Sequence, residues 1–260
     1  LTAGRSVVFL SSTISSLAFP HPCSVCATLY GQKYVDTPYN YALSKMQAFY
    51  GLPETGKVDT SVLDLVRAPR CGFPDVKAFS TFVNEPRWDR YDLTYSSIYI
   101  NYEMVEAAIA KAFKVWADAT AFKFTKVEDD EADIIIYFVK GAHGDNSPFF
   151  PNSNTMAHAY PPGEDIGGDI HFNDGFIWAN GNIPVVAAHE IGHSLGLGHS
   201  HKMAALMYPT YTFDKKEPVL MQDDLDGIKS LYGETDVQGH FVVVHCACCL
   251  FVFFSAFIWC

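Results

Sequence analysis

The feature that most constrains this chain is the string HEIGHSLGLGH, which begins at His189. His189 and His193 are four residues apart, so on a helix both imidazoles share one face and can bind the same metal ion. Gly196 tolerates the sharp turn that would bring His199 back as a third nitrogen ligand. Three protein ligands leave the fourth position of a zinc ion open for water, which is typical of a hydrolytic site. Glu190 lies where it can take a proton from that water and pass it to a leaving amine.

The apolar periodicity of the chain predicts an α/β fold. Alternating or continuous apolar runs predict strands, and apolar residues at helical spacing predict helices. We expect strands over Asp92–Tyr102 and Asp133–Val139, and helices over Val105–Ala119, from Pro184 to near Leu195, and over Gln222–Tyr232. Two shorter helices are predicted upstream, over Tyr41–Tyr50 and Ser61–Arg67. Such a small segment buries too little surface to be stable alone, so we expect it to dock on the larger unit.

A second set of candidate metal ligands lies upstream of the histidine string. His143, Asp145, His158 and His171 are separated by 2, 13 and 13 residues. His143 and Asp145 fall in a predicted loop, and the two later histidines fall on separate predicted strands. Four nitrogen and oxygen ligands with no open position describe a structural zinc site. The sequence therefore predicts two zinc ions, one catalytic and one structural.

The residues after the third histidine carry a family resemblance. Ser200 follows His199, and Met207 comes eight residues after that histidine in the run Ala205–Pro209. With the histidine string, these residues make the chain resemble the metzincin zinc endopeptidases and, within them, the matrix metalloproteinases. The match extends from about Ala42 to Gly233.

This resemblance implies a fold, a division of the chain and a set of roles. The expected fold is a metzincin-like catalytic domain with a twisted mixed β-sheet and three helices, preceded by a small helical propeptide. The expected segments are a signal-peptide-like segment (1–20), a propeptide (21–78), a catalytic domain (79–233) and a hydrophobic tail (234–260). By resemblance, His189, His193 and His199 hold the catalytic zinc and Glu190 is the general base. Met207 would form the apolar floor beneath the metal.

The segment Pro69–Val76 resembles the cysteine switch of that family and departs from it at Phe73, where valine is usual. A Cys71 thiolate would fill the open zinc position and exclude water. Arg70 and Asp75 would hold the loop through a charge-assisted contact. The alternative is a buried, inert cysteine in a turn. We expect the mature chain to begin near Phe79 and, because no dibasic site precedes it, activation outside the secretory pathway.

Calcium binding is expected at one family position and not at another. The family usually holds a calcium ion with carboxylates where this chain has Phe150, Asn173 and Phe176, and phenylalanine side chains supply no oxygen ligand. That site is expected to be weak or absent. Asp133 and Asp169, with a backbone carbonyl near Gly167, resemble a second calcium site. The alternative is that these are solvated loop acids.

Substrate recognition is predicted from residues close to the zinc ligands. Val185, four residues before His189, suggests a moderately deep apolar pocket, lined also by Tyr211 and the Pro209 wall. Such a pocket would accept an aliphatic residue such as leucine on the leaving-group side of the scissile bond. No hemopexin-like repeats follow Gly233, as in the minimal matrilysin-like members, so tight docking on triple-helical collagen is not expected. Expected partners are extracellular protein substrates, tissue-inhibitor-type proteins and an activating protease.

Charge and the two ends of the chain bear on location. Acidic residues (29) outnumber lysine and arginine (18), for a net charge of −11, which argues against nucleic acid as a partner. Residues 7–18 resemble the apolar core of a signal peptide, which favours secretion. The run Phe241–Cys260 has the length of a membrane span. It is open whether this run is a transmembrane helix, a lipid-anchor signal or a gene-model artefact.

The leading hypothesis is therefore a secreted or membrane-tethered zinc endopeptidase made as a cysteine-switch zymogen, acting by Glu-assisted attack of zinc-bound water on extracellular matrix and other extracellular proteins. Three alternatives stay open. One is an astacin or adamalysin relative, against which Ser200 argues because those relatives carry an acidic residue there. Another is a non-catalytic zinc-binding scaffold of the same fold, and the last is the product of a damaged gene.

Overall fold

A computed structural model describes residues 38–75, 86–97, 103–128, 130–178, 182–212 and 217–233. The signal-like segment, the expected processing point near Phe79 and the apolar tail lie outside the described residues. Five helices and six strands occur in the described part. The helices are α1 (Pro38–Phe49), α2 (Thr60–Arg67), α3 (Glu103–Ala119), α4 (Ile183–Ser194) and α5 (Gln222–Tyr232). The strands are β1 (Arg70–Cys71), β2 (Asp92–Ser97), β3 (Lys123–Lys126), β4 (Ile134–Val139), β5 (Thr155–Ala159) and β6 (Ile170–Asn173).

The strands form one mixed sheet in the order β1-β5-β6-β4-β2-β3. Four adjacent strands, β3, β2, β4 and β6, run parallel to one another. The next strand, β5, runs antiparallel to β6. The two-residue strand β1 pairs with β5 in parallel at one edge. The predicted mixed sheet is confirmed, and the part of the predicted strand beyond Ser97 lies outside the described residues. β4 is buried at Ile134–Ile136 and half-buried at Tyr137–Val139, so the sheet is fully covered on both faces only along the first half of this strand.

Helices α3 and α4 form the apolar layer beneath the sheet. α3 buries Ile109, Phe113 and Trp116, and the Trp116 indole N–H donates to the Ala188 carbonyl at 2.7 Å. α4 is buried along nearly its whole length, so its polar side chains need partners inside the protein. The three predicted helices of the larger unit are confirmed, and α5 ends where Gly233 takes a positive φ of 80°.

The two upstream helices pack against the larger unit. α2 begins at an Asp59 cap, whose carboxylate accepts from the Val62 backbone N–H at 3.0 Å. α1 buries Leu43 and is followed by the buried Tyr50, whose ring meets the Tyr208 ring edge-on with centroids 5.8 Å apart. Asn154 donates to the Val66 carbonyl at 2.8 Å. Within the described residues, no helix combines the length and the apolar character needed to cross a bilayer.

Candidate active site and metal centres

Three histidine nitrogens converge at the C-terminal end of α4. The Nε2 atoms of His189 and His193 lie 3.1 Å apart, and those of His189 and His199 lie 3.3 Å apart. His199 returns to this point because the chain turns at Gly196, whose φ is +97° and where a Cβ would collide with the Pro86 carbonyl. Only glycine fits that turn without strain.

Two of these imidazoles are oriented by backbone carbonyls. Nδ1 of His189 lies 2.7 Å from the Leu206 oxygen, and Nδ1 of His193 lies 2.8 Å from the Leu197 oxygen. Burial lowers the pKa of His189 to about 3 and that of His193 well below its usual value. Neutral rings whose Nδ1–H is engaged present Nε2 lone pairs to a common point. This donor set fits a zinc ion.

Met207 lies directly beneath the ligand helix. It is buried, and a Cβ added at Gly192 would collide with its sulfur, so glycine at that position allows the close approach. The turn that carries Met207 is held by buried Asp224. This carboxylate accepts from the backbone N–H groups of Leu206 at 2.8 Å and Met207 at 3.0 Å. The sequence did not single out Asp224, and no local pattern marks its role.

Glu190 is fully buried beside the histidines. The Tyr211 hydroxyl donates to its Oε1 at 2.7 Å, and the Cys71 sulfur lies 3.6 Å from its Oε2. Burial raises the pKa of Glu190 to about 8, although both of those hydrogen bonds act to lower it. Entry of water would weaken the effect of burial, and the carboxyl group would then ionise more readily.

Cys71 lies against the same point from the upstream segment. Its sulfur is 3.5 Å from His193 Nε2 and accepts from the Phe73 backbone N–H at 3.2 Å. Among the described residues, Cys71 and the three histidines form one of two groups whose ligand atoms all lie within 4.8 Å of one another. The Cys71 thiol thus lies beside the three imidazoles, and its role as a switch stays a prediction.

Asp75 anchors the segment 69–75 that carries Cys71, which we call the switch segment. Its Oδ1 pairs with Arg70 at 2.6 Å, as predicted, and its Oδ2 accepts from the Tyr50 hydroxyl at 2.8 Å. Burial alone would raise its pKa, but contacts with His199 and Arg70 outweigh this effect and lower it to about 2. The Phe73 ring packs on His193, with centroids 4.6 Å apart.

The second predicted cluster converges on one carboxylate oxygen. Asp145 Oδ2 lies 2.8 Å from His143 Nε2, 2.8 Å from His158 Nε2 and 2.8 Å from His171 Nδ1. Asp145 is fixed in turn by the Ser147 backbone N–H, which donates to its Oδ1 at 2.9 Å. These four side chains are the other metal-ligand group among the described residues. The donor set fits a closed zinc site with four ligands.

The residues considered for calcium have protein partners. Asp133 pairs with Arg90 through Oδ1, and its Oδ2 accepts from the Thr94 backbone N–H at 2.8 Å. Asp169 is buried, accepts from the Ile135 N–H at 3.0 Å, and has a pKa raised by burial to about 6. Gly167 lies two residues earlier, in the loop that leads to β6. Calcium at Asp133, Asp169 and Gly167 stays a prediction.

At the other family position, an amide occupies the centre of the loop. Asn173 is buried, donates to the Thr155 carbonyl at 2.9 Å and accepts from the Gly175 N–H at 2.9 Å. Phe150 is 52% exposed, and the Phe176 ring lies 6.3 Å from that of Trp178. These side chains offer an incoming cation no carboxylate, so the residues do not fit calcium.

A cavity of about 620 Å³ opens beside Tyr211, the residue whose hydroxyl donates to Glu190. Val185 and Tyr211 line it as predicted, whereas Pro209 is not among its lining residues and instead accepts from the Cys71 N–H at 2.9 Å through its carbonyl. The rest of the cavity wall comes from two parts of the chain, the larger unit and the upstream helical segment. It includes Leu206, Tyr208, Val219 and Met221 from the larger unit, and Tyr50, Leu52 and Leu65 from the upstream segment.

Comparison with known proteins agrees with this geometry. Residues 87–233 match the sequence model of the family described as Matrixin. The chain is 45% identical over 214 residues to stromelysin-1 of Mus musculus, covering 78% of this chain and 44% of that protein. It is 47% identical over 199 residues to interstitial collagenase of Oryctolagus cuniculus, covering 74% of this chain and 42% of that protein. The chain thus spans less than half the length of these curated relatives.

Proposed function

This chain belongs to the matrixin family, and from that membership we propose that it is a zinc endopeptidase made in a latent form. Its proposed substrates are extracellular matrix proteins and other extracellular proteins. The observation that carries the proposal is the convergence of Cys71 with the three histidines, beside the buried carboxyl group of Glu190. A scaffold that only bound zinc would have no need of a buried base at this point.

The proposed reaction assigns one role to each group at the site. His189, His193 and His199 would hold a zinc ion, which supplies Lewis-acid activation of water and of the peptide carbonyl. Glu190 accepts the proton of the attacking water and delivers it to the amine nitrogen of the departing chain. Tyr211 orients Glu190 through its hydroxyl group, which donates to Oε1 at 2.7 Å.

The same residues account for latency. The Cys71 sulfur lies 3.5 Å from His193 Nε2, where it would take the zinc position that the attacking water needs. β1 also occupies the edge of the sheet, because the Gly72 N–H donates to the Ala157 carbonyl of β5 at 2.8 Å. Release of β1 would free this edge for an extended substrate peptide, which could pair with β5 as an added strand. The apolar cavity lined by Val185 and Tyr211 would accept an aliphatic side chain of that peptide.

The second cluster is proposed to be structural. His143, Asp145, His158 and His171 together use all four positions of a tetrahedral ion and leave none open. A metal there would tie the loop before β5 to both β5 and β6. The proposed complement is therefore two zinc ions per chain, with calcium near Asp169 as a further proposal.

We also propose secretion, directed by residues 7–18, with release from latency by an extracellular activating protease and control by tissue-inhibitor-type proteins. Attachment to a membrane through 241–260 would follow if that apolar run is retained. Fractionation of cells that express the full chain, with and without residues 241–260, separates secretion from tethering.

An assay of the purified full chain tests the proposed activity. A quenched peptide with leucine after the scissile bond is incubated before and after treatment with a thiol-modifying reagent. We expect cleavage only after treatment, and a loss of about 10²–10⁴-fold in kcat/KM in the treated Glu190→Gln variant. Bound zinc is counted in every sample. If the treated wild type does not cleave the peptide while both zinc ions are bound, the scaffold alternative is favoured. If it neither cleaves the peptide nor binds zinc, the fold is damaged.

A further inference from the structure

One of the three converging imidazoles is oriented differently from the others. Nδ1 of His189 and Nδ1 of His193 face backbone carbonyls of the larger unit. Nδ1 of His199 instead lies 3.0 Å from Asp75 Oδ1, in the upstream switch segment. This nitrogen is fully buried and, among the described residues, makes no aligned hydrogen bond, so its 3.0 Å approach to Asp75 Oδ1 is a charge contact. The carboxylate beside this nitrogen therefore comes from the segment whose release is proposed to activate the enzyme.

Asp75 is itself held firmly beside that imidazole. Arg70 pairs with its Oδ1 at 2.6 Å, and the Tyr50 hydroxyl donates to its Oδ2 at 2.8 Å. The Phe73 ring lies over His193 and meets His199 edge-on, with centroids 4.6 Å and 5.7 Å away. The switch segment thus contacts two of the three imidazoles on sides that do not face the metal position.

A carboxylate beside Nδ1 has a direct effect on a metal-binding imidazole. It favours the tautomer that carries the proton on Nδ1, which leaves the Nε2 lone pair free, and it raises the basicity of that lone pair. Loss of such a partner typically weakens metal binding by about 10–100-fold. Removal of the switch segment would take this partner away from His199, whereas the backbone carbonyls that face Nδ1 of His189 and Nδ1 of His193 would stay in place.

We propose that Asp75 is a positioning residue for His199, so that the upstream segment retains zinc at the active site through Asp75 as well as through Cys71. This inference rests on the proposed zinc enzyme with a thiol latch. It adds a consequence of activation: the processed enzyme binds its catalytic zinc less tightly than the latent chain, because it loses a ligand and also the group that orients another ligand.

Zinc release from the full chain tests this proposal. Zinc-loaded protein is mixed with a chromophoric chelator, and the affinities of its two release steps are measured. Substitution of Cys71 by Ser identifies the step that belongs to the active site. In that Cys71→Ser background, Asp75→Asn is expected to weaken the same step by about 10–100-fold and to leave the other step unchanged.

Tyr50→Phe in the same background is the matched control, because it also removes one hydrogen bond from Asp75 but leaves Oδ1 beside His199. We expect it to change zinc release by less than about threefold, given the small net contribution of one hydrogen bond. Nitrogen NMR shifts of the His199 ring should report a change of tautomer population in Asp75→Asn only. Equal effects of the two variants, equal shifts of both release steps, or an unchanged His199 ring would each overturn the proposal. Thiol-dependent cleavage by the wild type would still stand in those cases.

Discussion

Asp145 brings three imidazoles together through a single oxygen atom. Its Oδ2 lies 2.8 Å from one nitrogen of each of His143, His158 and His171. Asp145→Ala should therefore remove the structural zinc, lower the zinc content from about two ions to about one, and lower the melting temperature. Elemental analysis and thermal unfolding measure both effects. Asp174→Ala is the control, because its ion pair with Lys140 is about half exposed and contributes little. Loss of both zinc ions from Asp145→Ala would contradict two independent sites.

The Tyr211 hydroxyl acts on the proposed base. It donates to Glu190 Oε1 at 2.7 Å, and this bond lowers the pKa of the carboxyl group against the larger, raising effect of burial. Removing the bond in Tyr211→Phe should raise the pKa of Glu190. Because the base must be ionised to accept a proton, the acid limb of the kcat/KM profile of the activated enzyme should move to higher pH. Tyr208→Phe is the control, because Tyr208 lines the same cavity. A shift to lower pH, or equal shifts in both variants, would refute this role.

The two clusters of candidate metal ligands could be predicted because their chemistry and spacing are local. Histidines four apart on a helix face the same way whatever surrounds the helix. Asp224 and Asp75 could not be assigned their full contacts in the same way. Asp224 binds backbone groups of Leu206 and Met207 that lie on another segment, and Asp75 meets His199 only after the chain has folded. Contacts of this kind depend on tertiary packing, which carries no periodic signal.

At the scale of elements, one ion pair joins residues near the two ends of the switch segment and fixes its conformation. Arg70 and Asp75 are 2.6 Å apart, and both side chains are largely buried. Loss of one partner from such a pair leaves the other charge unpaired, which is costly. Arg70→Gln should therefore loosen the segment, and the untreated full chain should show peptidase activity without a thiol reagent. Arg67→Gln removes the same charge from an exposed position on α2 and should stay latent. Latency of both variants would show that the segment stays in place without this ion pair.

The loop after β6 is held by an amide where the family resemblance led us to look for calcium. Asn173 donates to the Thr155 carbonyl of β5 and accepts from the Gly175 N–H, each at 2.9 Å. Asn173→Asp replaces a donor with a carboxylate facing a carbonyl oxygen, which should destabilise the fold by about 1–3 kcal/mol. Added calcium should not restore the stability, because Phe150 and Phe176 supply no oxygen ligands. Thermal unfolding with and without calcium measures this, with exposed Asn152→Asp as the control. Rescue by calcium would show that a cation site persists here.

Helix ends were predictable where capping residues mark them, as Asp59 marks the start of α2 and Gly233 the end of α5. The strands β1 and β3 were not predicted. β1 has two residues and exists only because β5 offers an edge for pairing, and β3 alternates over four residues, which is too short for a periodic signal. Sequence patterns therefore indicated the elements with their own local signal and missed those made by their neighbours.

At the scale of the whole molecule, the upstream segment covers more than the zinc position. Tyr50, Leu52 and Leu65 form part of the wall of the 620 Å³ cavity proposed to accept the substrate side chain. The sequence could not predict this docking surface. The size of the helical segment indicates only that it must pack against the larger unit to be stable. The Tyr50 ring against Tyr208 and the bond from Asn154 to the Val66 carbonyl hold the segment independently of the thiol. The proposed latency would thus have two parts, one at the proposed zinc position and one at the cavity.

This division predicts that loss of the thiol alone gives an incompletely active molecule. In Cys71→Ser the metal position is opened, but the upstream helices still compete with the substrate for the cavity and for the β5 edge. Its KM for the leucine peptide should exceed that of enzyme freed of the segment by proteolysis, while kcat should be similar, because competition for a site changes apparent binding and not the chemical step. Steady-state kinetics on Cys71→Ser before and after proteolytic removal of the segment measure both constants in the same preparation. Equal KM values would mean that the segment leaves the cavity as soon as the thiol is gone, and that Cys71 alone maintains the latent state.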